Sequence, residues 1–315
     1  MAVTLLVATT ACGGGDTGNF NPVATNQKID AAMGALGNAA VQSVDILAGA
    51  FTFTMTAPPH PGTAVAVVPA GIIPCSQCLG RTFAYVPQAG RYQPTDATGA
   101  PSDAVRYLLY AVNPVTRVVV TPLQQVGTLD LADKAGNTLG VKAVVSNATV
   151  LDYNANASIT TGNFLLTAKG YVTSGTERLD FDLTQSVNVT SSDTRVDYKI
   201  TSPTQGNMQI DFLLTGKLGG AKNATLTVTE AKDKLEITAN GTAASSTGTV
   251  KMNGSTLATL TDTDQTDQVF NPSGGRILTP AEILALVTMF NRVDVILASF
   301  DDLLVPAFFV FGITR

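Results

Sequence analysis

The residues best suited to redox, nucleophilic or metal chemistry are few: Cys12, Cys75, Cys78 and the sole histidine, His60. Cys75 and Cys78 form a C-x-x-C within Pro74-Cys75-Ser76-Gln77-Cys78-Leu79. A redox dithiol of that spacing sits at a helix start after a strand, where the helix dipole lowers the thiol pKa. Here Leu79-Gly80-Arg81-Thr82-Phe83 follows without a helical period, and the βαβ context is missing. Haem attachment needs histidine after the second cysteine, where Leu79 stands. A zinc site needs four ligands, and only Cys12 and His60 remain as sulfur or imidazole donors. A small structural disulfide between Cys75 and Cys78, formed in an oxidising compartment, is the expectation, ahead of redox or metal roles.

Histidine-based acid–base catalysis would fall to His60, framed by Pro58, Pro59 and Pro61. No orienting carboxylate or nucleophile motif accompanies it, and an exposed loop histidine is the better reading. G-x-S-x-G, P-loop and H-E-x-x-H motifs are absent. Asp262, Asp264 and Asp267 offer oxygens of the kind calcium takes, but their spacing is not that of an EF-hand, and a solvated acidic loop suffices. A literal G-x-G-x-x-G runs from Gly13 to Gly18 without the strand and helix that would make it a dinucleotide site. No catalytic residue, metal ligand or cofactor is therefore expected.

Cys12 is different. It ends the apolar run Leu5-Leu6-Val7-Ala8-Thr9-Thr10-Ala11 and is followed by the flexible Gly13-Gly14-Gly15-Asp16. These residues resemble the lipobox of bacterial lipoproteins, cut before the cysteine and acylated on its thiol. The resemblance covers about the first 15 residues and implies a lipid anchor at Cys12 in the cell envelope, on the outer membrane or periplasmic face. No Lys or Arg precedes Cys12, so a start upstream is expected, with Met1 internal to the signal.

Composition suits an exported protein. The balance of 19 basic and 24 acidic residues, net −5, provides no electrostatic footprint for nucleic acid. Charged residues make up only 14% of the chain, against about a quarter in typical domains. No run of about 18 uncharged apolar residues suggests a membrane-spanning helix.

Two helices and a long run of strands must carry whatever the protein does. Ile29, Met33, Leu36, Ala40, Val44 and Leu47 recur at helical spacing, predicting a helix over 27–50. Phe51, Phe53 and Met55 alternate with threonines as a short strand would. Residues 51–135 are irregular, a cap or a small subdomain, with strands expected around Arg81–Val86, Val105–Val112 and Arg117–Thr121. From 136 to 262 alternation is sustained, as in Leu179, Phe181, Leu183 and then Met208, Ile210, Phe212, Leu214. Short turns such as Asn253-Gly254 join these strands, predicting an antiparallel meander with one wet and one buried face.

Thr279-Pro280-Ala281-Glu282 is a capping box that opens a second helix over 279–300. Its apolar stripe includes Phe290, Val293, Leu297 and Phe300, the expected cover of the sheet or wall of a groove. Asp301 and Asp302 oppose the helix dipole, so a stop near Ser299 is expected. The tail 303–313 is expected as a final strand or core-filling segment.

The fold class is mainly β with flanking helices (α+β). It is an antiparallel meander sheet or half-barrel whose apolar face is covered by an N-terminal and a C-terminal helix. Residues 1–11 are read as part of a signal, 12–26 as lipidated cysteine and tether, and 27–315 as one β-rich domain. A non-enzymatic, membrane-anchored structural or interaction protein is the leading function. A carrier of an apolar small molecule, architecturally like half-barrel lipoproteins that hold acyl chains, is the close alternative. An outer-membrane β-barrel is the third reading. The helix stripe has enough bulk to fill a shallow sheet, and truncating Phe290 would then cost about 3–5 kcal/mol.

Overall fold

The computed structural model describes residues 21–53, 71–242, 245–262, 268–273 and 277–313. Cys12, His60, Asp264 and Asp267 lie outside them, as do the side chains of Asp262 and Val293.

Helix α1 (Pro22–Met33) starts earlier than its apolar period suggests, so residues 22–26, expected in the tether, are helical. The reason is local: the Asn21 side chain accepts from the N–H groups of Val23 and Ala24, and Pro22 presets the first helical residue. The expected single helix over 27–50 is divided. Gly34–Gly37 tightens into a 3-10 turn, and Asn38 caps a new helix, α2 (Ala39–Ile46). Glycine costs about 1 kcal/mol in a helix interior, and Asn38 restarts the helix with its side chain on the Ala40 N–H.

Phe51–Phe53 is not a strand. The segment is held through its side chains instead. Phe51 packs on Tyr92 and Tyr107, Phe53 stacks on Phe309, and the Thr52 carbonyl accepts from the Tyr107 hydroxyl at 2.9 Å.

The strands then follow in order. β1 (Thr82–Val86), β2 (Arg91–Thr95) and β3 (Ala104–Tyr110) precede a small ribbon of β4 (Val112–Asn113) and β5 (Val118–Val119). Next come β6 (Gln125–Lys134), β7 (Thr138–Val145), β8 (Ala148–Thr160), β9 (Asn163–Ser174) and β10 (Glu177–Asn188). Five more complete the regular run: β11 (Asp193–Ser202), β12 (Met208–Lys217), β13 (Lys222–Glu230), β14 (Asp233–Gly241) and β15 (Ser246–Met252). β16 (Ser255–Asp262) and β17 (Gln268–Pro272) end it.

All but the ribbon join one 15-stranded sheet, ordered β17 to β6 consecutively and then β3, β1, β2. The irregular segment thus extends the same sheet, with β3 antiparallel to β6 and β1 parallel to β3. The meander is what its turns dictate. Ser146-Asn147 and Asn253-Gly254 both place two successive residues at positive φ, as two-residue hairpins between right-twisted strands require.

The sheet is open, because β17 and β2 at its two ends are not paired with each other. It is therefore not a closed barrel. Each end strand is only five residues long and carries a proline, Pro94 in β2 and Pro272 in β17. Short, proline-bearing edges resist pairing with other chains.

Alternation sorts the two faces. Leu179, Phe181 and Leu183 of β10 are buried, while Arg178 before them and Asp182 among them are exposed. On the wet face, cross-strand neighbours Lys169, Asp182, Lys199 and Asp211 alternate in sign across β9 to β12. Nearer β3, Arg106 grips Asp130 through two bonds of 2.6 and 2.7 Å, with Lys142 and Asp152 continuing the row. A slip of one residue would set these charges opposite uncharged residues, as Asp182 opposite Tyr198 or Ile200, and expose the apolar set, so both patterns pin the same register.

The apolar face is covered by four helices. α3 (Pro280–Leu303) opens on the expected capping box, with Thr279 and Glu282 each satisfying the other's backbone N–H. It passes Ser299 and continues through Asp301 and Asp302. The tail is not a strand; α4 (Val305–Phe311) begins with Pro306 in its first turn and ends at left-handed Gly312. It fills the core, with Val305, Ala307, Phe308 and Val310 buried. α1 and α2 pack on α3, and α2 and α4 also rest on β7. By length and composition α3 would suffice to cross a bilayer, at mean hydropathy 1.7. Here Leu286, Met289, Ile296 and Phe300 on it are core residues.

Candidate functional site

The apolar face is packed where α3 crosses it and open at one end. Of the four residues expected to cover it, Phe300 is fully buried, with its ring 5.7 Å from both Phe181 and Tyr198. Phe290 and Leu297 are half-buried against the core.

Three sheet tyrosines tie the helical layer down. Tyr107 bonds the Thr52 carbonyl, Tyr153 bonds the Leu303 carbonyl at 3.0 Å, and Tyr198 reaches the Asp301 carboxylate at 3.3 Å. Burial raises the pKa of all three hydroxyls above the ordinary tyrosine value. For Tyr198 the neighbouring Asp301 charge raises it further. Each therefore remains a protonated donor through the physiological range.

That bond explains why α3 does not stop at Ser299. A carboxylate in a last helical turn opposes the macrodipole, at a cost of about 0.3–1 kcal/mol. Asp301 recovers this through charge-assisted bonds from Tyr198 and from the Gln185 amide, the latter at 2.8 Å. Gln185 also donates to the Tyr198 hydroxyl.

Beside this chain lies a cleft of about 440 Å³ between the end of α3, α4 and strands β9 and β10. Phe164, Ala298, Phe308 and Ile313 form its apolar walls, and Gln185, Asp301 and Asp302 its polar end. Its volume falls within the roughly 300–1,000 Å³ of small-molecule sites. Two other hollows are more polar: one beside the Cys75–Cys78 loop at Asp103 and Asp133, one beside β5 at Arg117 and Tyr85.

The sequence held one sign of this site. Gln185 occupies the inward register set by Leu179, Phe181, Leu183 and Val187, where an amide needs a buried partner. What it could not reveal was the partner, because Asp301 lies 116 residues away.

Cys75 and Cys78 are joined as a disulfide around a single 3-10 turn, Ser76–Cys78, which leads into β1. No longer helix follows, so the dipole that activates a redox dithiol is missing here. Closing so short a loop restricts the unfolded chain little, about 2 kcal/mol or less. Replacing both cysteines with serine is accordingly expected to lower thermal stability only slightly, as read by circular dichroism melts. A loss comparable to emptying a core aromatic would contradict this. Among the described residues no cluster of three or more His, Cys, Asp or Glu is arranged to hold a metal ion.

Comparison with protein-family models, curated proteins and solved structures finds no match for this chain.

Proposed function

We propose that this is a non-enzymatic protein of the bacterial cell envelope, anchored to a membrane by lipid on Cys12, with a structural or interaction role. The observation carrying the non-carrier part of this reading is the burial of Phe300 between Phe181 and Tyr198. An interior filled by the protein's own helix has no room for a large apolar cargo. The alternative, a half-barrel carrier, would need that helix to roof an empty concavity.

The anchor rests on the Leu5–Cys12 pattern and the glycines after it. Multiple acyl chains hold a protein at a membrane where a single chain does so only marginally. Expressed with a complete signal in a bacterial host, the native protein is expected in the membrane fraction after a carbonate wash. The Cys12→Ser variant is expected in the soluble fraction. Retention of that variant on washed membranes would sink the anchor.

A further inference from the structure

We propose that the outward face of α3 docks on the surface of a phospholipid bilayer. The helical layer then lies against the membrane, and the charged face of the sheet points away from it. Leu284, Thr288, Asn291, Val295 and Ala298 recur at steps of four and three, which is one face of a helix. Leu284 is 66% and Val295 59% exposed, and Ala298 beyond them is exposed as well. No Lys, Arg, Asp or Glu occupies this stripe before Asp302. Hydroxyls here are turned back on the helix. Thr288 donates to the Leu284 carbonyl at 2.7 Å, and Ser299, beside the stripe, to the Val295 carbonyl at 2.8 Å. Both groups are thereby satisfied without water, as a neighbour made of lipid requires. Arg292, at the flank, pairs with Asp30 of α1. The opposite side of α3 is core, with Leu286, Met289, Ile296 and Phe300 buried. The helix therefore lies on a bilayer and does not cross it.

A bilayer is favoured over a second copy by the chain that leads to Cys12, so the inference rests on the anchor proposed above. α1 packs beside α3, with Asp30 on Arg292. Pro22, at the start of α1, is eight residues before Asp30, about 12 Å along a helix. From Asn21 back to Cys12 is nine residues, a reach of about 30 Å at most. An acylated Cys12 would hold the helical layer within that distance of the membrane, and the stripe on α3 is an exposed apolar surface of that layer. Tethering raises the effective concentration of lipid, so even a modest apolar contact is formed. The Lys and Asp rows lie on the far face of the sheet, where they meet water.

Cys75 and Cys78 are joined, which leaves Cys12 as the thiol for coupling among the three cysteines. The full chain, unacylated, would be coupled through Cys12 to a maleimide phospholipid in phosphatidylcholine vesicles. This supplies the tether whether or not cells acylate Cys12, so failure of the anchor and failure of the face give different results.

The chain contains no tryptophan, so a single introduced one reports alone. On coupling, the emission of Val295→Trp is expected to shift to the blue. In vesicles of brominated phosphatidylcholine it should lose about half its intensity, because an interfacial helix sits about 5–10 Å into the bilayer boundary. Lys169→Trp, on the wet face with a side chain 77% exposed, should show neither change. Adding Leu284→Asp, also at an exposed position, should bring Val295→Trp close to the Lys169→Trp level. An unquenched Val295→Trp would overturn the proposal, as would equal quenching of Lys169→Trp. Blue-shifted Val295→Trp emission that grows with protein concentration in the absence of vesicles would assign the face to a second copy and overturn it too.

Discussion

Phe300→Ala is expected to destabilise the protein by about 3–5 kcal/mol, the usual penalty for emptying a buried aromatic site. The side chain is fully buried and makes edge contacts with two sheet aromatics, Phe181 and Tyr198. Edge-to-face pairs add about 0.5–1.5 kcal/mol beyond burial. The loss is not confined to contacts. Phe300 lies one position before Asp301, so collapse around the void would shift the carboxylate that Tyr198 and Gln185 hold. Phe290→Ala is the internal comparison. Its half-buried ring should cost only about 1–2 kcal/mol, in proportion to the apolar area it removes from water. That revises the larger cost expected for Phe290 from periodicity alone. Equilibrium urea unfolding of both variants decides the matter. If Phe300→Ala is no more damaging than Phe290→Ala, α3 is a lid and the interior is not packed by it.

The contrast between these two phenylalanines shows where pattern ceases to inform. Helical spacing places Phe290, Leu297 and Phe300 on one broad stripe, and a stripe does not say which turn meets the sheet. The meander was legible because its code is local: alternation within a strand and turn residues such as Asn253-Gly254 need no distant partner. The capping box at Thr279 and Glu282 was legible for the same reason. The misread elements depended on distant contacts. Asp301 looks like a helix terminator until Gln185 and Tyr198 are beside it. Phe51-Thr52-Phe53 alternates like a strand, yet Tyr107 takes its carbonyl and Phe309 stacks on its ring. The tail from Val305 to Phe311 is apolar enough for either strand or helix, and Pro306 favours the helix because its fixed φ suits a first turn.

Width poses a further physical problem, for sheets beyond about ten strands must curl, split or flatten. Strands of so wide a sheet approach closely at Gly170, and its replacement is the second large effect expected. Gly170 sits on the inward face between its cross-strand partners Tyr153 and Phe181. Their rings approach to 5.9 Å. A Cβ at this position would lie 2.1 Å from the Asp152 carbonyl oxygen and 2.4 Å from the Tyr153 Cβ. Neither neighbour is the free end of a flexible side chain, so relief requires β8 and β9 to move apart. Such overpacking typically costs about 1–3 kcal/mol. Gly170→Ala is expected near the top of that range, because displacing Tyr153 also pulls its hydroxyl from the Leu303 carbonyl. Gly37→Ala provides the contrast, as nothing lies within 4 Å of a Cβ there. Stiffening the unfolded chain at such a site is neutral or stabilising by about 0.4–1 kcal/mol. Hydrogen exchange would add a spatial readout: Gly170→Ala should loosen amides of α3 near Leu303 as well as those of β8 and β9. If the two glycine variants unfold at the same denaturant concentration, the close approach of β8 to β9 at Gly170 does not contribute to stability.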